Sequence, residues 1–167
     1  TADLTVRGVL RGTPGYMSPS LSQGKPGCLE DDVYALGATL YFILTGQCPH
    51  FSKDTKEIIS NTVVNDLRPP SKLFPEFDIP PALEAVSMKA LAKEGSYETV
   101  QELSLELTNH LRGYATKAEE AGFLTILKLL YKRQKTLCNT ILGSLLILIL
   151  ITVFFINSLQ EEKEKEL

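Results

Sequence analysis

Apolar positions are spread unevenly along these 167 residues, and their spacing predicts several elements. Between Asp31 and Thr45, residues Val33, Leu36, Leu40, Tyr41, Phe42, Ile43 and Leu44 cover nearly the whole circumference of a helix. A helix apolar all round is usually wrapped by other elements, so this one is expected to be a central core pillar. Asp31 or Asp32 can cap its start, and Gly46 can end it in a left-handed turn. A second helix is expected from Asp54 to Asn65. Pro69, Pro70, Pro75, Pro80 and Pro81 then forbid continuous helix and imply a looping connection. Helix resumes near Pro81, where proline suits a first turn, and runs to about Lys93. Gly95 breaks it, and Ser96 can cap a further helix with Val100, Leu103, Leu107 and Leu111 on one stripe. Residues 115–135 read as one more helix, apolar at Ala118, Ala121, Leu124 and Leu127 and increasingly basic toward its end. It is either an interfacial helix against a membrane or a solvated linker helix. No repeat and no convincing strand pattern appears, so the expected fold class is mainly α.

Residues 137–156, LCNTILGSLLILILITVFFI, carry no charge. A run of this length matches the roughly twenty residues that a helix needs to cross about 30 Å of hydrocarbon. It has no polar face for a core helix to turn outward, and its place near the C-terminus excludes a signal peptide. Lys128, Lys132, Arg133 and Lys135 precede the run. Lys163 and Lys165 follow it, diluted by Glu161, Glu162, Glu164 and Glu166. The basic cluster decides orientation, so residues 1–136 are expected in the cytoplasm and the tail outside. That tail, 157–167, is either the start of a coiled coil or a solvated end.

Charge and cysteines narrow the function classes. A net charge of −3, with no basic patch interleaved with aromatics, argues against nucleic acid. Cys28, Cys48 and Cys138 have no metal-site spacing, and neither His50 nor His110 has a partner at ligand distance in sequence, so no metal is expected.

The segment Gly12-Thr13-Pro14-Gly15-Tyr16-Met17-Ser18-Pro19 combines residues that fix a loop shape. It is followed in order by Asp32-Val33-Tyr34-Ala35-Leu36-Gly37 and by Leu44-Thr45-Gly46-Gln47-Cys48-Pro49-His50-Phe51. Together these blocks resemble the large lobe of bacterial, eukaryotic-like Ser/Thr protein kinases. The first is similar to the end of the activation segment, and the second to the long central helix of that lobe. The resemblance covers residues 1–113, as a partial kinase domain from the activation loop onward. A juxtamembrane stretch (114–136), a transmembrane helix (137–156) and a charged tail (157–167) follow.

The resemblance implies roles for particular residues. Thr13, Gly15 and Tyr16 would position the protein substrate, and Pro19 would help close the segment. Asp32 would be buried against the backbone of the catalytic loop. Thr1 or Thr5 would accept an activating phosphate. The ordinary alternatives are a turn hydroxyl for Thr13 and an N-cap for Asp32.

No Gly-rich loop with a strand lysine, no His-Arg-Asp loop and no Asp-Phe-Gly occurs in these residues. The chain begins with Thr inside what the resemblance makes an activation loop. The expectation is therefore a piece of a longer protein, with no catalytic, cofactor-binding or metal residue of its own. ATP and magnesium belong to the intact kinase, and the expected partners are the N-terminal kinase portion, a protein substrate and membrane lipid. Ser20 stands where the family places the glutamate of an Ala/Ser-Pro-Glu triplet, and the loop Lys93-Glu94-Gly95-Ser96-Tyr97 lacks the arginine that glutamate would pair with. Joint loss of both halves of an ion pair can be nearly neutral, whereas loss of one costs about 3–5 kcal/mol. The lobe is thus expected to fold with one anchor fewer on its activation segment. Two readings stay open: a membrane-anchored kinase, or a catalytically inactive pseudokinase that binds a partner at the membrane.

Overall fold

The computed structural model describes residues 12–165, with side chains through residue 157. Eight α-helices are described, and no strand occurs among these residues. They are α1 (Pro19–Ser22), α2 (Leu29–Thr45), α3 (Thr55–Val64), α4 (Pro70–Leu73), α5 (Pro81–Ala90), α6 (Val100–Leu111), α7 (Phe123–Arg133) and α8 (Lys135–Lys165). The chain divides after Gly122 into two units.

In the first unit α2 is the element around which the others pack. It begins two residues earlier than its apolar pattern predicts. Neither Asp31 nor Asp32 is its N-cap. Cys28 takes that position, and Asp31, three residues on, reaches back to accept the Cys28 backbone N–H at 2.7 Å. Glu30, Asp31 and Asp32 in the first turn suit the positive end of the helix dipole. Gly46 ends the helix as expected, with φ 73° and its N–H on the Phe42 carbonyl at 2.7 Å.

Close approach of α2 and α5 builds the core. A Cβ on Gly37 would stand 2.6 Å from the Ala90 Cβ and 3.3 Å from its carbonyl carbon, so only glycine lets the two backbones lie this near. The Ser87 hydroxyl uses that proximity, donating to the Gly37 carbonyl at 3.2 Å. Val33, Val86, Ala90, Tyr97 and Leu103 form one buried cluster, and Tyr34, Ala38, Tyr41 and Leu91 form a second on the adjoining face. Each fully buried Val or Leu contributes about 1.5–3 kcal/mol relative to exposure.

The pillar is covered on one side only among the described residues. Leu29, Leu36 and Ile43, spaced seven apart and hence on one face, are 72 %, 43 % and 71 % exposed. The all-round apolar pattern therefore overstates what this unit buries: Val33, Tyr34, Gly37, Ala38 and Tyr41 face the core, while Leu29, Leu36 and Ile43 stand outside it.

The connections follow their turn chemistry. Asp54 caps α3 by accepting the Lys56 N–H at 3.1 Å, and Asn65 ends it in the left-handed region at φ 56°. The Asn65 side chain then joins three elements. It donates to the Leu91 carbonyl at 3.0 Å, while the Tyr34 hydroxyl and the His50 Nε2 lie 3.5 and 3.3 Å from its oxygen. Thr99, not Ser96, caps α6, accepting the Glu102 N–H at 3.2 Å; the Ser96 hydroxyl donates instead to the Ala90 carbonyl. Along α6, Leu103 is buried but Leu111 is 85 % exposed, so the expected stripe is only partly used.

Residues 115–135 are not one helix. Residues 114–122 turn back on α6, where the buried Glu106 carboxylate accepts the Ala118 N–H at 3.0 Å and Ala118 packs against the first core cluster. Glu120 takes φ 46°, and helix resumes only at Phe123. A buried carboxylate in need of a donor outweighs the helical propensity of that stretch.

The second unit consists of α7 and α8. The helical pattern is interrupted at Gln134, and the Tyr131 hydroxyl donates to the Asn139 side-chain oxygen at 3.2 Å. Within α8, Lys135–Asn157 is 23 residues long with a mean hydropathy of 2.5 in its most apolar stretch, none of it covered by the rest of the protein. This helix is long and apolar enough to cross a membrane.

Candidate functional site

The shaped segment lies along α2. Gly12 adopts φ 133°, which lets the chain turn over Met17, a buried residue. Pro14–Tyr16 form a single 3-10 turn, closed by the Tyr16 N–H on the Thr13 carbonyl at 2.9 Å. Thr13 is exposed, and its hydroxyl does not cap the turn. Gly15 is pressed against the residues after α2: a Cβ there would meet the Cys48 Sγ at 2.7 Å. The Tyr16 ring stands 6.4 Å from the Phe42 ring, tilted by 58°. A hydrogen bond with Cys48, with burial adding to it, raises the Tyr16 phenol above its ordinary value. Gly15 and Tyr16 thus sit by the C-terminal end of α2. Beyond them opens a cleft of about 490 Å³ between the residues following α2 and α4, lined in part by Cys48, His50, Arg68 and Phe74. Burial lowers the His50 imidazole from its ordinary value, against the Asn65 hydrogen bond and the Asp66 charge.

The other end of the segment is held at the start of α2. Ser18 caps α1, accepting the Leu21 N–H at 3.1 Å, and Pro19 occupies the first helical turn, where its missing N–H costs nothing. The Ser18 and Ser20 hydroxyls both donate to the same Asp31 oxygen, Ser20 at 2.5 Å. The other Asp31 oxygen accepts from the Cys28 backbone and, at 3.3 Å, from the Cys28 thiol. Burial pushes the Asp31 carboxyl up, but these donated hydrogen bonds outweigh it and hold the group below its ordinary 3.8.

This geometry corrects one expectation. Ser20 does not leave the segment with one anchor fewer. Its hydroxyl makes a short hydrogen bond to the Asp31 carboxylate, eleven positions on. The buried carboxylate at this end is Asp31, 5 % exposed, and not Asp32, whose side chain faces outward. Adjacent residues on a helix point about 100° apart, so only one of the two carboxylates can meet the segment. Thr1 and Thr5 lie outside the described residues. Sequence reasoning missed Asp31 as the clamp, Asn65 as the junction, and Glu106. For Asp31 the signal was the Cys28–Asp31 spacing of a capping box.

No family model matches the chain. A search of solved structures finds the first unit's architecture in the autoinhibited serine kinase domain of the giant muscle protein titin. The TM-score is 0.51 at 22 % identity, covering 74 % of this chain and 38 % of that one. The helical unit has the fold of a protein-kinase large lobe. Over 114 residues, 67 % of its length, the chain is 37 % identical to serine/threonine-protein kinase PknD of Chlamydia felis. It is also 37 % identical over 112 residues to PknD of Chlamydia pneumoniae, and 38 % over 114 residues to that of Chlamydia abortus. These similarities relate the lobe to bacterial Ser/Thr kinases. The aligned part spans 12 % of the length of each of these relatives.

Proposed function

We propose that this chain is the substrate-side part of a membrane-anchored Ser/Thr protein kinase. The similarity of two thirds of its length to relatives bearing that name carries the reading. In the intact protein a γ-phosphoryl group passes from ATP to a Ser or Thr hydroxyl, releasing ADP, with magnesium ions neutralising the developing charge. The groups that hold ATP and magnesium lie outside these residues. Thr13, Gly15 and Tyr16 shape the surface on which the substrate polypeptide rests, and Pro19 with the Asp31 clamp holds that surface still. Asp32, facing outward at the start of α2, is available to the catalytic loop. Thr1 or Thr5 is the place for an activating phosphate. Residues 137–156 of α8 anchor the protein in the inner membrane with residues 1–136 cytoplasmic, consistent with the basic cluster before them.

The test is phosphoryl transfer by the product of the complete natural gene, purified from membranes, with labelled ATP and a generic protein substrate. Label is expected on Ser or Thr. Thr13→Ala, at an exposed position, is expected to lower kcat/KM for the protein substrate about tenfold or more while leaving the KM for ATP unchanged. Absence of transfer, with a protein partner retained on the lobe, would support the second reading, a pseudokinase module. What favours it is Ser20 in place of the family's glutamate: the Asp31 clamp holds the segment in the lobe, but not by the family's ion pair.

A further inference from the structure

The apolar face of α7 is largely uncovered, its Tyr131 hydroxyl meeting Asn139 of α8. Phe123 and Leu124 are 77 % and 79 % exposed, and Ile126, Leu127, Leu130 and Tyr131 are also exposed. At 100° per residue these six fall on one broad arc of the helix, while Thr125, Lys128 and Lys132 occupy the opposite one. Phe123–Gln134 contains no acidic residue, and its cations Lys128, Lys132 and Arg133 are followed at once by Lys135. The helix is also cut from α8 at Gln134, the residue immediately before the 23-residue apolar span. An apolar arc opposite a cationic one, adjoining a membrane-length helix through a break, matches the requirements of a helix lying in the lipid–water interface. Solvent is a poor alternative for six large apolar side chains, at about 25 cal/mol for each Å² left wet.

We infer that α7 is a second membrane contact, an interfacial helix that binds anionic lipid headgroups through Lys128 and Lys132 and seats Phe123, Leu124, Leu127 and Tyr131 among the upper acyl carbons. The inference rests on the proposed membrane anchoring by α8 and adds a lipid charge preference to it. Charge complementarity selects the occupant. A lysine near an anionic surface contributes about fivefold in partition, and a neutral protein groove would gain nothing from these cations.

The chain contains no tryptophan, so one can be introduced as a sole reporter. Leu127→Trp is placed on the apolar arc and, in a separate protein, Leu148→Trp is placed within the span. The full chain is reconstituted into vesicles of phosphatidylcholine alone, or with 30 % phosphatidylglycerol, each with and without brominated acyl chains. The Leu148→Trp fluorescence is expected to be quenched in both compositions. The Leu127→Trp fluorescence is expected to be blue-shifted and quenched by shallow bromines in the anionic vesicles, and several-fold less in neutral ones. Lys128→Gln with Lys132→Gln should shrink that difference, lowering the equilibrium constant for α7 on anionic vesicles about 25-fold. Three results overturn the inference: water-like Leu127→Trp emission in anionic vesicles, a blue shift without bromine quenching (cover by protein), or equal quenching in both compositions. An unquenched Leu148→Trp would instead refute the membrane anchoring itself.

Discussion

Helices α2 and α8 look alike as strings of letters, each apolar around most of its circumference, yet they are built for different surroundings. Along α2 the buried face carries Val33, Gly37 and Ala38, small enough for α5 to approach until Ser87 reaches the Gly37 carbonyl. Along α8 the residues are mostly large, and Gly143 has nothing within 4 Å of where its Cβ would be. Apolar circumference by itself does not say what covers a helix. Side-chain size on each face does, because protein backbones come close only where small residues let them, whereas lipid makes no such demand.

The largest expected break in that comparison is at these two glycines. Gly37→Ala pushes a methyl into Ala90 and should destabilise the large lobe by about 2–3 kcal/mol, read from denaturant unfolding in mild detergent. Gly143→Ala should change stability by no more than about 0.5 kcal/mol. Similar losses at both positions would mean that α8 also packs against protein.

The next contrast is between neighbours on α2 itself. Asp31→Ala strands the Ser18, Ser20 and Cys28 donors and should cost about 2–3 kcal/mol, whereas Asp32→Ala in the same assay should stay within about 0.5 kcal/mol. A smaller effect is pH-dependent. The Asp31 carboxyl titrates lower in the folded protein than in the unfolded chain, so its contribution is present above about pH 3.8 and fades as pH falls through the folded value. Acid unfolding of Asp31→Asn should lack this component, and a parallel acid profile for the two proteins would contradict the assignment.

Much of this architecture is legible in the residues. Gly46 as a helix end, a helix opening at Asp54, Pro81 as a first turn and the apolar run at 137–156 each rest on local rules that act within a few positions. What stayed hidden depends on contacts between distant positions. The capping-box spacing from Cys28 marks Asp31 locally, but nothing local says that its second oxygen meets Ser18 and Ser20, since that follows from where residues 18–20 come to rest. Ser20 reads as a lost anchor when set against a family pattern, because the substitute partner is a different residue type in a different place. The turn at 114–122 is set by a buried Glu106 that needs the Ala118 N–H, and a helix-prone sequence gives no warning of it. In each case a polar group buried by the fold decided the local structure.

Whether the segment 12–20 is pinned to the pillar by the clamp can be measured most directly by a double-mutant cycle on Ser20→Ala and Asp31→Asn, with stability as the readout. Two groups joined by a hydrogen bond to a carboxylate should show a coupling energy of about 1 kcal/mol or more. Strictly additive losses would mean that Ser20 and Asp31 act independently, and that the segment is held to α2 by something else.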